Sequence, residues 1–394
     1  MIINEYDSPF QVGVPVYPKN FIGREEILDK ILPQLSHLYP NNQKHFFITG
    51  SRGMGKTSLT KYISDVLESE YGILPIHVEN NGVNTVDELL KNIITELLKK
   101  AKKESISLRF KELIKDNVTK VGAWGSEIQI NNNSHLLDDI KTHFIYTLQE
   151  LFNDIENRKA LVIIIDDING LSDNEIFPNW YKSMVDTIAV NDDITIPISF
   201  ILTGYSKKFG KLHLLNPSFS RIFQREDLEL LSDEEVSDFY IKNFAKTGIK
   251  IEKNALDMMV KYTHGLPLVM QQIGFSLFNK SKTINNITKP IAIKGIIDAG
   301  ESIGRSYVLS NYEAFDKSKE YKSILSKISN YNSFKFTIKE LKHTLAVKEE
   351  EVLDDFLEFN LSLEFFVKYD DEYAITNELF KMYFETLNLK KWNE

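Results

Sequence analysis

The chain has 394 residues, of which 42% are hydrophobic and 26% are charged, so it has enough apolar side chains for two or three domains. It contains no cysteine, which excludes disulfides and thiolate metal sites, and no apolar run is long enough to span a bilayer. The first residues lack a signal-peptide pattern, so we expect a cytoplasmic protein, and the net charge of −9 argues against a protein that coats nucleic acid.

The first segment of the chain is an arm with Pro9, Pro15 and Pro18, which predict extended backbone. It leads into a turn at Phe21-Ile22-Gly23-Arg24-Glu25. Apolar residues then recur at helical spacing, which predicts a helix.

A glycine-rich loop follows a predicted buried strand at 45–49 and precedes a predicted amphipathic helix that extends to Leu67. Such a loop aims backbone N–H groups and a helix dipole at one point, which favours phosphate. Lys56 would reach the β- and γ-phosphates, and the Thr57 hydroxyl would ligate Mg²⁺. The sequence therefore predicts ATP or ADP with Mg²⁺, bound by Gly50, Ser51, Arg52, Gly53, Met54, Gly55, Lys56, Thr57 and Ser58.

The next part of the chain continues the alternation of strands and helices, with a strand at 73–78 and a helix from Val86 to Leu97. Residues from about 104 to 134 interrupt this alternation, and Val118 to Ile130 is typical of a hairpin. Trp124 near its tip would either wedge into a partner or fold back onto its own sheet, and the second interpretation is preferred. A long helix is predicted from His135 to about Asn157.

The continuous apolar run Leu161–Ile165 predicts a central strand of a parallel sheet, and it ends in Asp166 and Asp167. Carboxylates at that end lie at the ligand-binding edge of such a sheet. Asp166 would hold Mg²⁺ through water, and Asp167 would orient or deprotonate the attacking water. The alternative is a polar strand end that caps the next helix. The glycine-rich loop upstream favours the first interpretation.

A further strand is predicted at 194–203, and the hydroxyl of Thr203 at its end is placed to sense the γ-phosphate or the attacking water. A short strand is predicted at 227–230. The alternation over residues 45–230 predicts a three-layer α/β domain with a parallel sheet. A capping box at Ser232–Glu235 then begins an all-helical region.

The C-terminal part predicts a winged helix-turn-helix, with helices at 319–328, 338–345 and 348–359, a wing around Asp370-Asp371 and a last helix at 377–387. We therefore predict an ATPase domain at 1–231 with a hairpin insertion at about 104–134, a helical lid at 232–285, a helical linker at 286–316 and a winged-helix domain at 317–394.

Over residues 14–390 the motifs together resemble the P-loop ATPases of the STAND and initiator-like AAA+ group, particularly small archaeal and bacterial ATPases. The motifs are Phe21–Glu25, Gly50–Thr57, Ile163–Asp167, Thr203 and Gly265-Leu266-Pro267-Leu268. The resemblance implies an adenine pocket lined by Phe21, Ile22 and Gly23, next to Arg24, and closed by Pro267 from the lid. The Asp166-Asp167 pair is more similar to STAND proteins than to AAA+ enzymes.

Ser220-Arg221 resembles the arginine-finger box of oligomeric AAA+ proteins, in which the arginine reaches the γ-phosphate bound by a neighbouring subunit. The alternative is a surface arginine in a loop. AAA+ proteins carry a sensor arginine on the helix after the Gly-x-Pro turn, and this chain has Val269, Met270, Gln271 and Gln272 there. That departure favours a slow ATPase that acts as a switch.

The resemblance to winged helices favours DNA binding, but the residues of the predicted recognition helix do not. Its face is a row of carboxylates from Glu349 to Glu358, which phosphate would repel. The first helix, with Lys317, Lys319, Lys322 and Lys327, offers the positive charge of this domain. We expect a domain that faces a protein or inhibits its own chain.

Two functions follow as hypotheses. The first is an ATP-binding and hydrolysing switch whose nucleotide state controls the lid, the winged helix, and partner binding or self-association. The alternative is an oligomeric DNA-associated AAA+ ATPase of the initiator or loader type. A small-molecule kinase would use the same loop, but a helical lid and a winged helix exceed what such an enzyme needs.

Overall fold

A computed structural model of the protein describes residues 8–40, 42–80, 82–100, 118–121, 128–130, 140–281, 285–314, 319–331, 334–363, 365–375 and 377–393. Within these ranges the chain forms two compact units. One is Tyr17–Glu229, and the other combines residues 8–16 with the chain from Leu230 onward.

The first unit is built on a parallel sheet. Its strands, with those of a separate hairpin, are β1 (His45–Thr49), β2 (Leu74–Glu79), β3 (Val118–Val121), β4 (Ile128–Ile130), β5 (Leu161–Asp166), β6 (Ile198–Gly204) and β7 (Phe223–Asp227). The order in the sheet is β2-β5-β6-β1-β7, and all four neighbouring pairs are parallel. Every residue of β1, β5 and β6 is buried, because helices cover both faces. The predicted α/β fold is confirmed.

The helices of this unit alternate with the strands. They are α1 (Glu25–Ser36), α2 (Lys56–Glu70), α3 (Val86–Lys100), α4 (Phe144–Asn153), α5 (Ile176–Val190), α6 (Ser206–Leu215) and α7 (Pro217–Ser220), with 3₁₀ turns at Pro18–Asn20 and Asn169–Asp173. Because each connection between parallel strands must return to the same edge of the sheet, the carboxyl ends of β1, β5 and β6 lie together.

Several predicted boundaries in this unit were wrong. The strand predicted at 194–203 begins at Ile198, after Pro197, which has no N–H to donate to a neighbouring strand. The strand predicted at 227–230 is β7, which ends at Asp227 and begins at the buried Phe223. The predicted hairpin is confirmed, because β3 and β4 pair antiparallel. Trp124 lies outside the described residues.

The second unit begins with a helical region. It contains α8 (Asp233–Ala245), β8 (Lys250–Ile251), α9 (Lys253–Thr263), α10 (Pro267–Ser281), β9 (Asn286–Ile287), α11 (Lys289–Ile303), a π-helical segment Gly304–Leu309 and α12 (Ser310–Ala314). The capping box that was predicted at Ser232 and Glu235 is confirmed, since both of its hydrogen bonds are present.

Residues 8–16 belong to this helical unit although they are distant from it in sequence. The ring of Phe10 is 3% exposed and packs against Phe239 and Phe244, with ring centroids 5.7 and 4.7 Å away. A Cβ on Gly274 of α10 would lie 2.3 Å from the Phe10 ring. Gln11 N donates to Gln271 Oε1 at 2.9 Å. The arm is therefore seated on α10.

The C-terminal part of this unit contains α13 (Lys319–Ile328), β10 (Lys335–Thr337), α14 (Ile338–Lys342), α15 (Val347–Glu351), α16 (Leu353–Ser362), β11 (Phe366–Tyr369), β12 (Glu372–Ile375) and α17 (Glu378–Asn393). The three strands form an antiparallel sheet in the order β10-β12-β11. The single helix predicted at 348–359 is instead two helices that meet at Val352, whose backbone (φ −104°, ψ 3°) leaves the helical region.

One residue of the predicted carboxylate row is placed differently. Glu349 is 7% exposed, accepts from Ser323 Oγ at 2.5 Å and pairs with Lys327. A buried carboxylate needs a compensating positive charge, and Lys327 supplies it here. Other members of the predicted row are exposed, namely Glu350, Glu351, Asp354, Asp355 and Glu358.

Candidate nucleotide-binding site

The glycine-rich loop connects β1 to α2 as predicted. Gly53 and Gly55 have φ of 86° and 85°, a left-handed conformation that residues with a Cβ adopt at a cost. Gly55 is the N-cap of α2, so the first turn of this 15-residue helix points its unpaired N–H groups toward the loop. This arrangement is suited to bind an anion.

Lys56 is folded onto the loop. Its Nζ donates to Gly50 O at 2.7 Å and to Ser51 O at 3.1 Å. Burial lowers the pKa of Lys56, and the charges of Asp166 and Asp167 act in the opposite direction. The ammonium therefore lies within electrostatic reach of both carboxylates at the end of β5.

Thr203 joins the two carboxylate residues. Strand β6 lies between β1 and β5, and Thr203 is fully buried near its end. Its hydroxyl donates to Asp166 Oδ1 at 2.6 Å and accepts from Asp167 N at 2.9 Å. The structure thus brings three residues predicted for the site to one edge of the sheet.

Asp167 has a left-handed backbone, with φ of 67°. Its Oδ1 accepts from Asn169 N at 3.1 Å, at the start of the 3₁₀ turn. This bond closes a turn one residue before Ile168, the N-cap of the 3₁₀ turn, and it occupies one carboxylate oxygen. Within the described ranges no hydrogen bond is found at Oδ2, so this second oxygen is available to a ligand.

Asn80 is a residue of the site that the sequence reasoning missed. It follows β2, its N donates to Asp166 O at 2.8 Å, and its Nδ2 donates to Asp167 O at 3.2 Å. Its side chain is 1% exposed, and within the described part of the chain Oδ1 has no partner. Most buried amide oxygens accept a hydrogen bond, so this atom is available to a water or a ligand bound at the site. The signal available in the sequence was a polar residue directly after a strand.

The turn before α1 contacts the loop. Phe21 stacks on Tyr62 of α2, with centroids 4.7 Å apart and an interplanar angle of 20°. Arg24, at φ of 69°, donates from Nη2 to Met54 O at 3.3 Å and from Nη1 to Glu229 O at 2.6 Å. The residues predicted to lie beside the adenine are therefore held next to the phosphate loop.

The residues predicted to hold Mg²⁺ offer the donors that this ion prefers. Asp166 supplies a carboxylate that is 6% exposed, and Thr57 supplies a half-buried hydroxyl at the start of α2. Magnesium favours oxygen ligands and commonly uses one or two carboxylates with substrate phosphates. Among the described residues no group of three or more His, Asp or Glu could hold a metal.

Two further predicted residues come from segments other than β1, the loop and α2. Arg221 is exposed and precedes β7, whose Phe223 pairs with His45 at the start of β1. The loop is at the other end of β1, roughly 15 Å along the strand. Arg221 therefore lies at the edge of the sheet opposite to the phosphate loop of its own chain. Pro267 is the first residue of α10 in the second unit.

Comparison with known families agrees with this geometry. Residues 20–180 match the family described as AAA ATPase domain. Residues 20–180 form an AAA ATPase domain. The domain includes the phosphate loop, Asp166 and Asp167, and it makes the chain a P-loop ATPase. No curated protein sequence matches the chain.

Solved structures share the fold of this chain. The Walker-type ATPase PABY2304 of Pyrococcus abyssi is 16% identical, covers 96% of this chain and 99% of its own, and has a TM-score of 0.55. ORC2 of Aeropyrum pernix is 11% identical with a TM-score of 0.51 over 93% of this chain and 91% of its own. Cdc6p of Pyrobaculum aerophilum is 12% identical with a TM-score of 0.51 over 100% and 99%. At these identities the likeness concerns the fold.

Within the described ranges, the chain has no helix that combines the length and the apolar character needed to cross a membrane.

Proposed function

We propose that the protein is an ATP-driven switch in which the nucleotide state of the AAA+ domain controls the position of the helical region and of the C-terminal domain. The observation that carries this proposal is the pair of hydrogen bonds from Arg24. One guanidinium binds Met54 O in the phosphate loop and Glu229 O, the last residue of the first unit. A shift of the loop on binding phosphate would act on the chain where it leaves that unit.

In this proposal the hydrolytic residues have separate roles. Thr57 and Asp166 hold Mg²⁺, which when bound neutralises phosphate charge. Asp167 orients or deprotonates the attacking water, and Asn80 and Thr203 hold the backbone and carboxylate of this strand end in place. Adenine lies against Phe21, Ile22 and Gly23, and Pro267 is assigned to close that pocket.

Slow turnover is part of this proposal. The helix α10 has no arginine at 269–272, and Gln271 in that position is 6% exposed and accepts from Gln11 N. The side chain of Gln271 therefore binds the backbone of its own unit. Without a cation at this position, α10 supplies no positive charge to stabilise the γ-phosphate. This favours a protein that holds ATP for a long time and hydrolyses it slowly.

We further propose that the C-terminal domain is a winged helix that faces a protein. The exposed carboxylates on α15 and α16 would repel DNA phosphate. Two lysines of α13 are engaged, because Lys322 pairs with Glu313 at 2.9 Å and Lys327 pairs with the buried Glu349. Reversal of Glu350 and Asp354 to lysine is expected to create DNA binding in a band-shift assay. Binding by the wild type that this reversal abolishes would contradict the proposal.

Limited proteolysis tests the switch. We expect cleavage near residues 280–320 to differ between the ATP and ADP states of the wild type. In Arg24→Ala this difference is expected to disappear while ADP remains bound, because the link from Met54 to Glu229 is lost. Arg158→Ala, which breaks a surface pair with Glu68, is the matched control. Identical cleavage of the wild type in ATP and ADP would refute the switch.

The alternative function is an oligomeric DNA-associated ATPase of the initiator or loader type. The position of Arg221 favours assembly, since an exposed arginine at the opposite edge could act on the nucleotide of a neighbouring copy. Sedimentation with ATP and duplex DNA separates the two functions. An oligomer whose turnover rises with DNA and falls in Arg221→Ala would support the alternative, whereas a monomer indifferent to DNA would remove it.

A further inference from the structure

Tyr205 is a half-exposed aromatic residue at the phosphate loop that neither motif nor comparison assigns a role. It directly follows β6, so it leaves the sheet between the ends of β1 and β5. Its backbone N donates to Asn169 Oδ1 at 3.1 Å, which fixes where the side chain starts. The Nζ of Lys56 lies over the Tyr205 ring, 4.9 Å from its centroid. This distance is within the range of a cation–π interaction.

The charges around the phenol come from the phosphate loop and from the residue after β5. Burial and the charge of Asp167 raise the pKa of Tyr205, while the charge of Arg52 lowers it. The side chain therefore lies within electrostatic reach of a carboxylate from β5 and of a cation from the phosphate loop. It is 37% exposed, so a ligand can reach the ring.

The ammonium of Lys56 is attracted both to the phosphate loop and to the carboxylates of Asp166 and Asp167. The carboxylates of Asp166 and Asp167 act on its ammonium, and a direct ion pair with either would be favourable at low dielectric. Such a pair would use the cation needed for phosphate and a carboxylate needed for the metal or the water. In the structure the ammonium is instead bound to Gly50 O and Ser51 O and covered by the Tyr205 ring.

We propose that Tyr205 is a positioning residue for Lys56, and that its aromatic face keeps the ammonium at the phosphate loop and away from the carboxylates of β5. The inference rests on the proposed binding of nucleotide at this loop. The hydroxyl has no part in it, because a ring face without a hydroxyl attracts a cation as well.

Binding of Mg·ADP and Mg·ATP by calorimetry tests this role. Tyr205→Phe keeps the ring and is expected to bind within about twofold of the wild type. Tyr205→Leu keeps apolar bulk without a π face and is expected to bind about 5- to 30-fold more weakly, the range of a partly desolvated cation–π contact. Tyr39→Leu, at a tyrosine that is 58% exposed and precedes the opposite end of β1, is the control. Equal losses in Phe and Leu, or none in Leu, would overturn the inference.

A double variant separates positioning of Lys56 from a general structural role. In an Asp167→Asn background one of the competing charges is absent, so the loss caused by Tyr205→Leu is expected to shrink at least threefold. A loss of the same size in both backgrounds would show that the ring acts by packing alone. A wild type that binds neither nucleotide would instead refute the proposed function.

Discussion

At the scale of single residues, a small number of hydrogen bonds holds the side chains of the candidate site in place. Lys56 donates to two loop carbonyls, and Thr203 makes one hydrogen bond to Asp166 at the end of β5 and one to Asp167 after it. The motif predicted the loop and the two carboxylates, because those residue types are required by phosphate and Mg²⁺. It could not predict Asn80, because one asparagine after a strand has many structural uses.

Lys56 and Asp167 are expected to separate binding from chemistry. Lys56→Ala removes a charged hydrogen-bond donor to phosphate and is expected to weaken nucleotide binding about 100-fold. Asp167→Ala is expected to leave binding intact and to slow hydrolysis about 10²- to 10⁴-fold, as loss of a general base does. Binding by calorimetry and turnover by phosphate release measure the two effects. Normal turnover in Asp167→Ala would assign the base to another carboxylate.

Asn80 is expected to affect the rate more than binding. In Asn80→Ala the backbone of Asp167 loses a hydrogen bond, so its carboxylate is less well placed and kcat is expected to fall about 10- to 100-fold. Affinity for ADP is expected to stay within about threefold of the wild type, because the loop itself is unchanged. Asn243→Ala removes an equally buried asparagine of the second unit and serves as the control. An unchanged kcat in Asn80→Ala would exclude this positioning role.

At the scale of elements, the order of strands and helices in the first unit followed from the sequence, and several ends did not. The predicted start of strand β7 was four residues too late. Residues 224 and 225 are both exposed, so the strand does not show the regular alternation of buried and exposed residues after Phe223. The break at Val352 was missed because the apolar spacing continues through it. The docking of Phe10 on α10 was missed as well, since a contact over more than 200 residues leaves no local pattern.

The contact between α13 and α15 is expected to make the C-terminal domain sensitive to acid. Burial alone would raise the pKa of Glu349, but hydrogen bonds from Lys327, Ser323 and the backbone of Ala346 lower it to about 2. A carboxyl whose pKa is lower in the folded state stabilises the fold above its unfolded pKa, near 4.5. That stability is lost as the pH falls from 4.5 toward 2.

Glu349→Gln tests this linkage. Near neutral pH the variant is expected to be less stable by about 1–3 kcal/mol, because it loses hydrogen bonds to a buried charge. Its free energy of unfolding is also expected to fall less between pH 5 and pH 3 than that of the wild type. Chemical denaturation at several pH values measures both. Parallel pH profiles would mean that Glu349 does not carry this dependence.

The packing of the Phe10 ring against Gly274 of α10 predicts that Gly274→Ala destabilises the unit. Gly274→Ala places a Cβ 2.3 Å from the ring, so we expect the ring to be displaced and the unit to lose about 2 kcal/mol of stability. In a Phe10→Ala background the same change is expected to be neutral or to stabilise by up to about 1 kcal/mol, because alanine favours helices. Denaturant unfolding of the four variants measures this coupling. The same loss of stability from Gly274→Ala in both backgrounds would contradict this packing of Phe10.

At the scale of the whole molecule, two compact units share one chain and the first of them carries the AAA+ domain. We expect two transitions in calorimetry, because the units have separate cores. Mg·ADP at about 100 times its dissociation constant is expected to stabilise the nucleotide-binding unit by about 2.7 kcal/mol. In Lys56→Ala, with affinity about 100-fold weaker, the stabilisation at the same concentration is expected to fall to about 0.4 kcal/mol. A shift in Lys56→Ala as large as in the wild type would place the nucleotide elsewhere.

The Thr203 hydroxyl carries a single proton, and this proton is buried and bonded to Asp166. We expect a hydroxyl proton held in this way to exchange with solvent more slowly than the proton of an exposed hydroxyl. Anything that engages Asp166 alters the acceptor of that one proton. We therefore expect the exchange of this proton to report on what binds Asp166, before any phosphate is released.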